Sequence, residues 1–259
     1  MIRVLSLGAG MQSSALLFLL DREPDRVGGP VEFAVFADTG DEPAEVYRWL
    51  DRLESAVSIP IVRTSKGCLS EDQLTRRTCA RSPWHTLNQD GGAGMLPRNC
   101  TRDYKIRPII RAIRARVPKG LHVEQLIGIS VDEAHRMKPA RDKWLTHRWP
   151  LIDIGWTRAN CRRYVEASGF GTPPRSACIM CPFRSASEWA TLRTNAADWQ
   201  RAVDFDRRLR EVYPPGGGIN GIMSAVYVHP QRVPLDEVKL ADNAQLRLWG
   251  NECEGMCGV

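Results

Sequence analysis

The chain has 259 residues, of which 43% are hydrophobic and 25% are charged, and its formal net charge is +6. This length and composition predict a soluble globular protein made of one α/β domain with an elaborated C-terminal part. No apolar run approaches the ~20 residues that cross a bilayer, and no segment has the pattern of a signal peptide. We therefore expect a cytoplasmic protein that does not enter a membrane.

The first 65 residues alternate between strand and helix patterns. Residues 2–7 and 31–36 have the pattern of buried strands, and 59–62 that of a third strand. Residues 12–20 and 42–56 lie between them and have helical patterns. This order predicts an α/β, Rossmann-like parallel sheet with helices on both faces.

Regular patterns continue beyond a less regular stretch. The glycine-rich segment 88–97 has no core pattern, and we interpret it as a loop. The later helix patterns cover 103–117, 157–168 and 187–212, and 122–129 has the pattern of a buried strand. The C-terminal part is therefore expected to be mainly helical.

The charge is unevenly distributed along the chain. Residues 98–163 contain 16 Lys and Arg against 6 Asp and Glu, whereas the rest of the chain has 20 against 24. A basic middle region favours an anionic ligand, and nucleotide phosphates and a nucleic-acid backbone are both candidates. A solvated basic face is the alternative interpretation.

The strongest pattern is the turn after the first strand, Ser6-Leu7-Gly8-Ala9-Gly10-Met11-Gln12-Ser13-Ser14. A strand that passes through a glycine-rich turn into a helix directs backbone N–H groups and the positive helix end at one point, which predicts an anion site. The glycines allow close approach of an oxyanion, and Ser13 and Ser14 add hydroxyl donors. A tight βα turn without a ligand is the alternative.

This turn resembles the PP-loop of the ATP pyrophosphatase and phosphoadenylyl-sulfate (PAPS) reductase superfamily, whose usual form is S-G-G-x-D-S. Gln12 replaces the aspartate of that form, and Ser13 matches its last serine, which indicates a G-x-G-x-Q-S branch. Later segments that resemble the family, in the same order, are 36–40, 99–108, 128–136 and 149–152. The resemblance implies an adenine nucleotide alpha-hydrolase-like fold.

The resemblance also implies the nucleotide and its contacts. ATP or PAPS would lie with its phosphates on the turn, and Mg²⁺ with Arg136 would offset the charge of a leaving pyrophosphate. Arg136 and Lys105 are the basic catalytic candidates. The residues expected to bind the nucleotide are Ser6, Gly8, Ala9, Gly10, Gln12, Ser13, Ser14, Asp38, Thr39, Gly128 and Glu133. We place the nucleotide-binding domain at 1–155 and a helical C-terminal region with the cysteine motifs at 156–259.

Cysteines form the second pattern. Cys178 and Cys181 form a C-x-x-C motif followed by proline, which can present two thiolates to one metal or cluster. Cys100 is the third candidate ligand and Cys253 the fourth. Cys257, Cys79 or an open coordination position are alternatives for the fourth. Cysteine-only ligation favours a [4Fe–4S] cluster, as members of the superfamily that move sulfur often carry. A redox disulfide and a structural zinc site are the alternatives.

The tail, residues 252–259, resembles the E-C-G-x-H end of PAPS reductases, with Cys253 in the place of the nucleophile. It lacks the histidine and adds Cys257. Glu252 and Glu254 would raise the pKa of the Cys253 thiol. Cluster ligation and a redox pair with Cys257 are therefore competing roles for Cys253.

Three functions follow from these patterns. The first is an ATP-dependent enzyme that adenylates an acceptor, releases pyrophosphate and inserts sulfur. Its acceptor would be nucleic acid, as in tRNA thiolation or DNA phosphorothioation, and a cysteine desulfurase could donate the sulfur. The second is a PAPS or APS reductase that releases sulfite with a thioredoxin-like reductant. The third is a non-catalytic Fe–S or nucleic-acid-binding module.

Overall fold

The computed structural model describes residues 1–75, 82–217 and 221–240. The strands are β1 (Ile2–Leu7), β2 (Phe33–Asp38), β3 (Ile61–Ser65), β4 (His85–Leu87), β5 (Ala93–Met95), β6 (Val123–Ile127), β7 (Leu145–Arg148) and β8 (Ala225–Tyr227). The α-helices are α1 (Met11–Arg22), α2 (Ala44–Ala56), α3 (Leu69–Leu74), α4 (Arg107–Arg116), α5 (Pro150–Asp153), α6 (Arg158–Ala167), α7 (Ala186–Arg193) and α8 (Ala196–Val212). Within these residues, no helix is both long and apolar enough to cross a membrane.

The central sheet is parallel and has the order β3-β2-β1-β6-β7. Ser6 of β1 is aligned with Val35 on one side and with Ile127 on the other. The chain thus winds from β1 toward β3 and later returns to the other side of β1 as β6. At such a switch point the connections diverge and leave a crevice at the carboxyl ends of the strands.

Helices cover both faces of this sheet, as the sequence predicts. Successive side chains of a strand point to opposite faces. Leu5 and Phe36 belong to the core formed with α1, α2 and α6. Val4 and Val35 belong to the core formed with α4. Because α1 lies between the sheet and α6, all of its first ten residues are buried.

A second core joins the C-terminal helices to residues 84–95. Helices α7 and α8 pack with a small antiparallel sheet of order β5-β4-β8. Trp84, Trp189, Phe205 and Leu209 are buried in this core. The described C-terminal part is therefore mainly helical, and its strand β8 completes a small sheet with β4 and β5 that was not predicted from sequence.

Two predicted elements need correction. The segment 88–97 is not entirely a loop, because Ala93–Met95 pairs with His85–Leu87 as a short hairpin. The segment 187–212 is not one helix, because α7 ends at Arg193 and a new helix begins after Asn195. The Asn195 side chain accepts a hydrogen bond of 3.2 Å from the Asp198 N–H and caps α8.

Candidate active site

A cavity of about 280 Å³ opens at the carboxyl ends of β1 and β6, at the switch point of the sheet. Its apolar sides include Phe36, Ala37 and Ile109. The sequence-predicted residues that line it are Ser6, Gly8, Gly10, Gln12, Ser13, Lys105, Gly128, Glu133 and Arg136. The structure therefore brings most of the predicted nucleotide-binding set around one space, which we call the larger cavity.

The turn between β1 and α1 is shaped by its own residues. Ala9 has φ of 55°, in the left-handed region that favours glycine. Ser13 closes the turn, since its Oγ lies 3.2 Å from both the N–H and the carbonyl of Gly10. Helix α1 begins at Met11 beside the larger cavity. The positive end of its dipole therefore favours a negative charge there.

Gly128 fixes the distance between β6 and α1. A Cβ atom at this position would lie 2.9 Å from both the backbone nitrogen and the Cα of Ser13. Such contacts are too short for non-bonded heavy atoms, and backbone cannot move aside as a flexible side chain does. Glycine at 128 thus allows the end of β6 and the first turn of α1 to form one side of the larger cavity.

Four of the predicted nucleotide-binding residues lie outside the lining of the larger cavity. Ser14 is fully buried and its Oγ accepts a hydrogen bond of 3.0 Å from Trp49 Nε1. Asp38 accepts hydrogen bonds of 2.8 Å from the Tyr47 hydroxyl and from the backbone of residue 40. Thr39 Oγ1 lies 3.2 Å from Cys178 Sγ. Ala9, within the turn itself, is fully buried.

Gln12 occupies the position where the PP-loop form has an aspartate. Its Nε2 donates a hydrogen bond of 3.4 Å to the Ser130 hydroxyl, which follows β6. Both residues are buried. Gln12 therefore connects the start of α1 to the end of β6 without adding a negative charge to the cavity.

Five cations line the larger cavity: Lys105, Arg136, Arg158, Arg162 and Arg175. Arg136 Nη1 lies 2.5 Å from Glu133 Oε2, and Arg175 pairs with Glu188. Within the described residues, Glu133 and Glu188 are the carboxylates of the lining. The lining therefore carries more positive than negative charge, and each carboxylate faces an arginine.

Arg158, Arg162 and Arg175 were not predicted as site residues. Arg158 and Arg162 are separated by one helical turn at the start of α6, after the capping residue Thr157. Their four-residue spacing within the basic region is the sequence signal that could have identified them as site residues. Nothing in the local pattern around Arg175 indicates its place.

A buried ion pair lies next to the cavity. Lys105 Nζ is 3.2 Å from Glu42 Oε1, and the Glu42 side chain has no exposed surface. Ser176 Oγ donates a hydrogen bond of 3.4 Å to Glu42 Oε2. Lys105 also lines a second, smaller cavity. This lysine therefore separates two spaces, and Glu42 is a functional candidate that the sequence analysis missed.

The smaller cavity measures about 30 Å³ and is lined by the three predicted metal ligands that lie within the described residues. Cys100, Cys178 and Cys181 line it together with Thr39. The Cys181 N–H donates a hydrogen bond of 3.0 Å to the Cys178 carbonyl, so the C-x-x-C motif forms a tight turn. Arg184 holds this turn by donating to the carbonyl of Cys178 at 3.1 Å. Burial raises the pKa of the Cys178 thiol.

The arrangement of the cysteines decides whether the described residues can hold a metal by themselves. Within 1–75, 82–217 and 221–240, no group of three or more His, Cys, Asp or Glu side chains is arranged to hold a metal ion. Cys100, Cys178 and Cys181 therefore do not complete such a site among themselves. Cys79, Cys253 and Cys257 lie outside the described residues. The [4Fe–4S] cluster stays a prediction.

The first two thirds of the chain are similar to a known protein family. A model of the phosphoadenosine phosphosulfate reductase domain matches residues 3–169. No curated protein matches the chain at a significant level. Solved structures that match include a phosphoadenylyl-sulfate (PAPS) reductase from Candida auris in complex with phosphate, at 14% identity and a TM-score of 0.43. That match covers 67% of this chain and 74% of the other. The family match extends from β1 through α6, the elements that build most of the larger cavity.

Proposed function

Because the chain belongs to the phosphoadenosine phosphosulfate reductase domain family, we propose that its larger cavity binds an adenine nucleotide with a phosphosulfate group and that the protein reduces this group to sulfite. The proposal rests on one observation above all. Five cations line the cavity, whereas both carboxylates of its described lining face arginines. The planar guanidinium group of arginine can donate two hydrogen bonds at once to the oxygens of a sulfate or phosphate.

The same residues suit an anion better than a hydrated Mg²⁺ ion. Mg²⁺ in nucleotide sites is usually held by one or two carboxylates together with phosphates. Glu133 and Glu188 are engaged by Arg136 and Arg175. Gln12 occupies the position at which the PP-loop form S-G-G-x-D-S has an aspartate, so this position supplies no carboxylate. No step of the proposed reaction therefore involves Mg²⁺.

The proposed orientation of the nucleotide follows the chemistry of the cavity lining. Its phosphate groups lie at the turn and the N-terminus of α1, where backbone N–H groups and the helix dipole stabilise negative charge. The adenosine lies against Phe36 and Ala37, which form an apolar part of the lining. The sulfate extends toward Lys105, which borders the cavity with the three thiols.

The proposed chemistry is thiol transfer. A cysteine thiolate attacks the sulfur of the phosphosulfate, the bond from sulfur to the bridging oxygen breaks, and the nucleotide leaves with the electron pair. The lining cations offset the negative charge that develops on the leaving phosphate. A second thiol then attacks the sulfonated cysteine, which releases sulfite and leaves a disulfide. A dithiol of a thioredoxin-like partner supplies the two electrons. Cys253 is the proposed nucleophile from the resemblance of the tail.

A second candidate function has an observation of its own. Cys100, Cys178 and Cys181 surround one small cavity beside the nucleotide space, which suits an enzyme that moves sulfur. Such an enzyme would adenylate a nucleic-acid acceptor with ATP and receive sulfur from a donor protein. If a [4Fe–4S] cluster binds, these three cysteines and Cys253 are its proposed ligands. A cluster would supply a sulfur-handling or redox centre.

One anaerobic assay separates these functions. The protein is incubated with PAPS and a dithiol reductant, and separately with ATP, Mg²⁺ and tRNA or DNA. We expect sulfite from the first mixture and no pyrophosphate above background from the second. The variant Arg136→Gln should lose sulfite release. Pyrophosphate from ATP without sulfite from PAPS would overturn the proposal in favour of sulfur insertion, and neither product would favour a non-catalytic module.

A further inference from the structure

A basic surface lies on the side of the sheet that α4 covers. It consists of α4 with the turn after it and of the loop before β7. Its cations are Arg107, Arg111, Arg114, Arg116, Lys119, Lys138, Arg141 and Lys143, and all eight are exposed. Asp142 is the one acidic residue in segments 107–119 and 138–143. We call this set the α4 surface.

The packing of α4 explains why its arginines face outward. Ile109, Ala112 and Ile113 are buried against the sheet. Arg107, Arg111 and Arg114 follow one another at helical spacing on the opposite side of the helix. At 1.5 Å per residue, these three positions cover about 10 Å along the helix axis. One face of α4 is therefore buried in the core, and the opposite face is positively charged.

A direct contact joins the two parts of the α4 surface. The guanidinium of Arg114 lies 3.4 Å from the centre of the Trp144 ring. Trp144 and Ala140 pack against the same core as α4. The loop 138–143 is therefore held beside the helix, and its cations extend the charge of the helix into one continuous area.

Most of this charge is not neutralised by the protein. Arg107 pairs with Asp103 at 2.9 Å. Arg111, Arg114 and Lys143 form no ion pair with any residue that the structure describes. Mutual repulsion among such cations disfavours the compact state, and an external polyanion relieves it.

Helix α4 and the chain just before the loop each contribute one residue to the larger cavity. Ile109 of α4 lines that cavity, and so does Arg136, two residues before the loop. The α4 surface is therefore connected to the cavity through the chain, and its eight cations lie outside the lining of the cavity.

We propose that the α4 surface binds the backbone of a nucleic-acid duplex. Closely spaced Arg and Lys side chains bind successive phosphates and release counterions. Single strands are usually bound with aromatic rings on which bases stack. Segments 107–119 and 138–143 contain no aromatic residue, and Arg114 covers the adjacent Trp144 ring. These features favour a duplex. The proposal holds whichever nucleotide the cavity takes.

Fluorescence anisotropy with a labelled DNA duplex of arbitrary sequence tests the proposal. Affinity is measured between about 50 and 200 mM salt, where the logarithm of the binding constant falls linearly with the logarithm of salt concentration. Arg111→Gln with Arg114→Gln removes two proposed phosphate contacts. We expect weaker binding and a salt slope smaller in magnitude by about 1.8. A second variant, Arg141→Gln with Lys143→Gln, should show the same change without altering a helix.

The matched control is Arg193→Gln with Arg208→Gln, which removes the same charge from exposed positions elsewhere. Arg193 lies over the Trp199 ring, 5.7 Å from its centre, as Arg114 lies over Trp144. We expect the control to keep the wild-type slope. Equal losses in all three variants would overturn the proposal, as would no binding of the DNA duplex or stronger binding to anionic lipid vesicles. Comparable binding of an RNA duplex would support recognition of the backbone.

Discussion

Lys105 Nζ lies 3.2 Å from Glu42 Oε1, and this pair stands between the cavity proposed for the nucleotide and the cavity that holds three thiols. The Glu42 carboxylate has no exposed surface. Lys105 and the hydrogen bond from Ser176 compensate this buried carboxylate. The pair holds the Lys105 ammonium group in place at the point where nucleotide and thiol would meet.

Removal of Lys105 should destabilise the protein as well as impair catalysis. Lys105→Met leaves the buried Glu42 carboxylate without its cation, which costs about 3–5 kcal/mol in comparable cases. In a Glu42→Gln background, the same change should cost much less. Urea denaturation of both single variants and the double variant measures this coupling. Equal costs of Lys105→Met in the two backgrounds would show that the pair is not coupled.

A side chain at position 128 should lower the stability of the protein. Gly128→Ala places a Cβ atom 2.9 Å from the Ser13 backbone, and overpacking of this kind costs about 1–3 kcal/mol. Gly8→Ala is the control, because its Cβ would meet only Ser13 Oγ, at 3.6 Å. Thermal denaturation compares the two variants. A smaller loss for Gly128→Ala than for Gly8→Ala would contradict the close approach of β6 and α1.

Ser14 and Ser13 should have different roles although they are adjacent. Ser14→Ala leaves the buried Trp49 N–H without its acceptor, which costs about 1–3 kcal/mol of stability. Nucleotide affinity per folded molecule should not change. Ser13 lines the cavity, so Ser13→Ala should weaken nucleotide binding. Urea denaturation with calorimetric titration of the nucleotide separates the two effects. Loss of affinity in Ser14→Ala at full folding would contradict its structural role.

The second core should lose stability in mild acid. Burial lowers the pKa of His229 to about 4, and its Nδ1 accepts a hydrogen bond of 3.2 Å from the Gln231 N–H. In the unfolded chain a histidine titrates near about 6.5, so the unfolded state binds the proton first. The free energy of unfolding should therefore fall as pH decreases from about 6.5 to about 4. Burial also lowers the pKa of the neighbouring His85, which adds to the effect.

His229→Gln tests this pH dependence, since it removes one titrating group. Urea denaturation of the wild type and the variant is compared at about pH 7.5 and about pH 5. The variant should lose less stability between the two conditions. An identical loss in both proteins would assign the acid sensitivity to other groups.

The features that could be predicted from sequence are local ones. The turn from β1 to α1 is contained in nine residues, so its glycines and serines identify it without tertiary information. The alternation of strands and helices in the first 65 residues predicted the parallel sheet for the same reason. Gly128 and Arg136 were found because their segment resembles a family motif.

The features that were missed depend on packing between distant parts of the chain. Arg158 and Arg162 reach the cavity because α6 packs on α1, and a helical pattern does not state where a helix packs. Glu42 is buried by residues 63 and 134 positions away. Strands β4, β5 and β8 have three residues each, too few for an alternating pattern to be recognised.

Asp38 and Thr39 lie outside the lining of the larger cavity, and their contact with a nucleotide stays a prediction. Their segment matched the family, and the resemblance implied contact with the adenosine. In the structure Asp38 is engaged by Tyr47, and Thr39 lies against Cys178. Side-chain direction at a strand end depends on neighbouring helices, which a motif does not record.

In the proposed site, arginines rather than a metal ion hold the anionic groups of the nucleotide. Calorimetric titration with adenosine 3′,5′-bisphosphate in the presence of EDTA tests it most directly. We expect binding that Mg²⁺ does not strengthen, and a loss of about 10-fold or more in Arg136→Gln, as for a charge-assisted hydrogen bond. Binding that is absent in EDTA and appears only for ATP with Mg²⁺, unchanged by Arg136→Gln, would contradict the account.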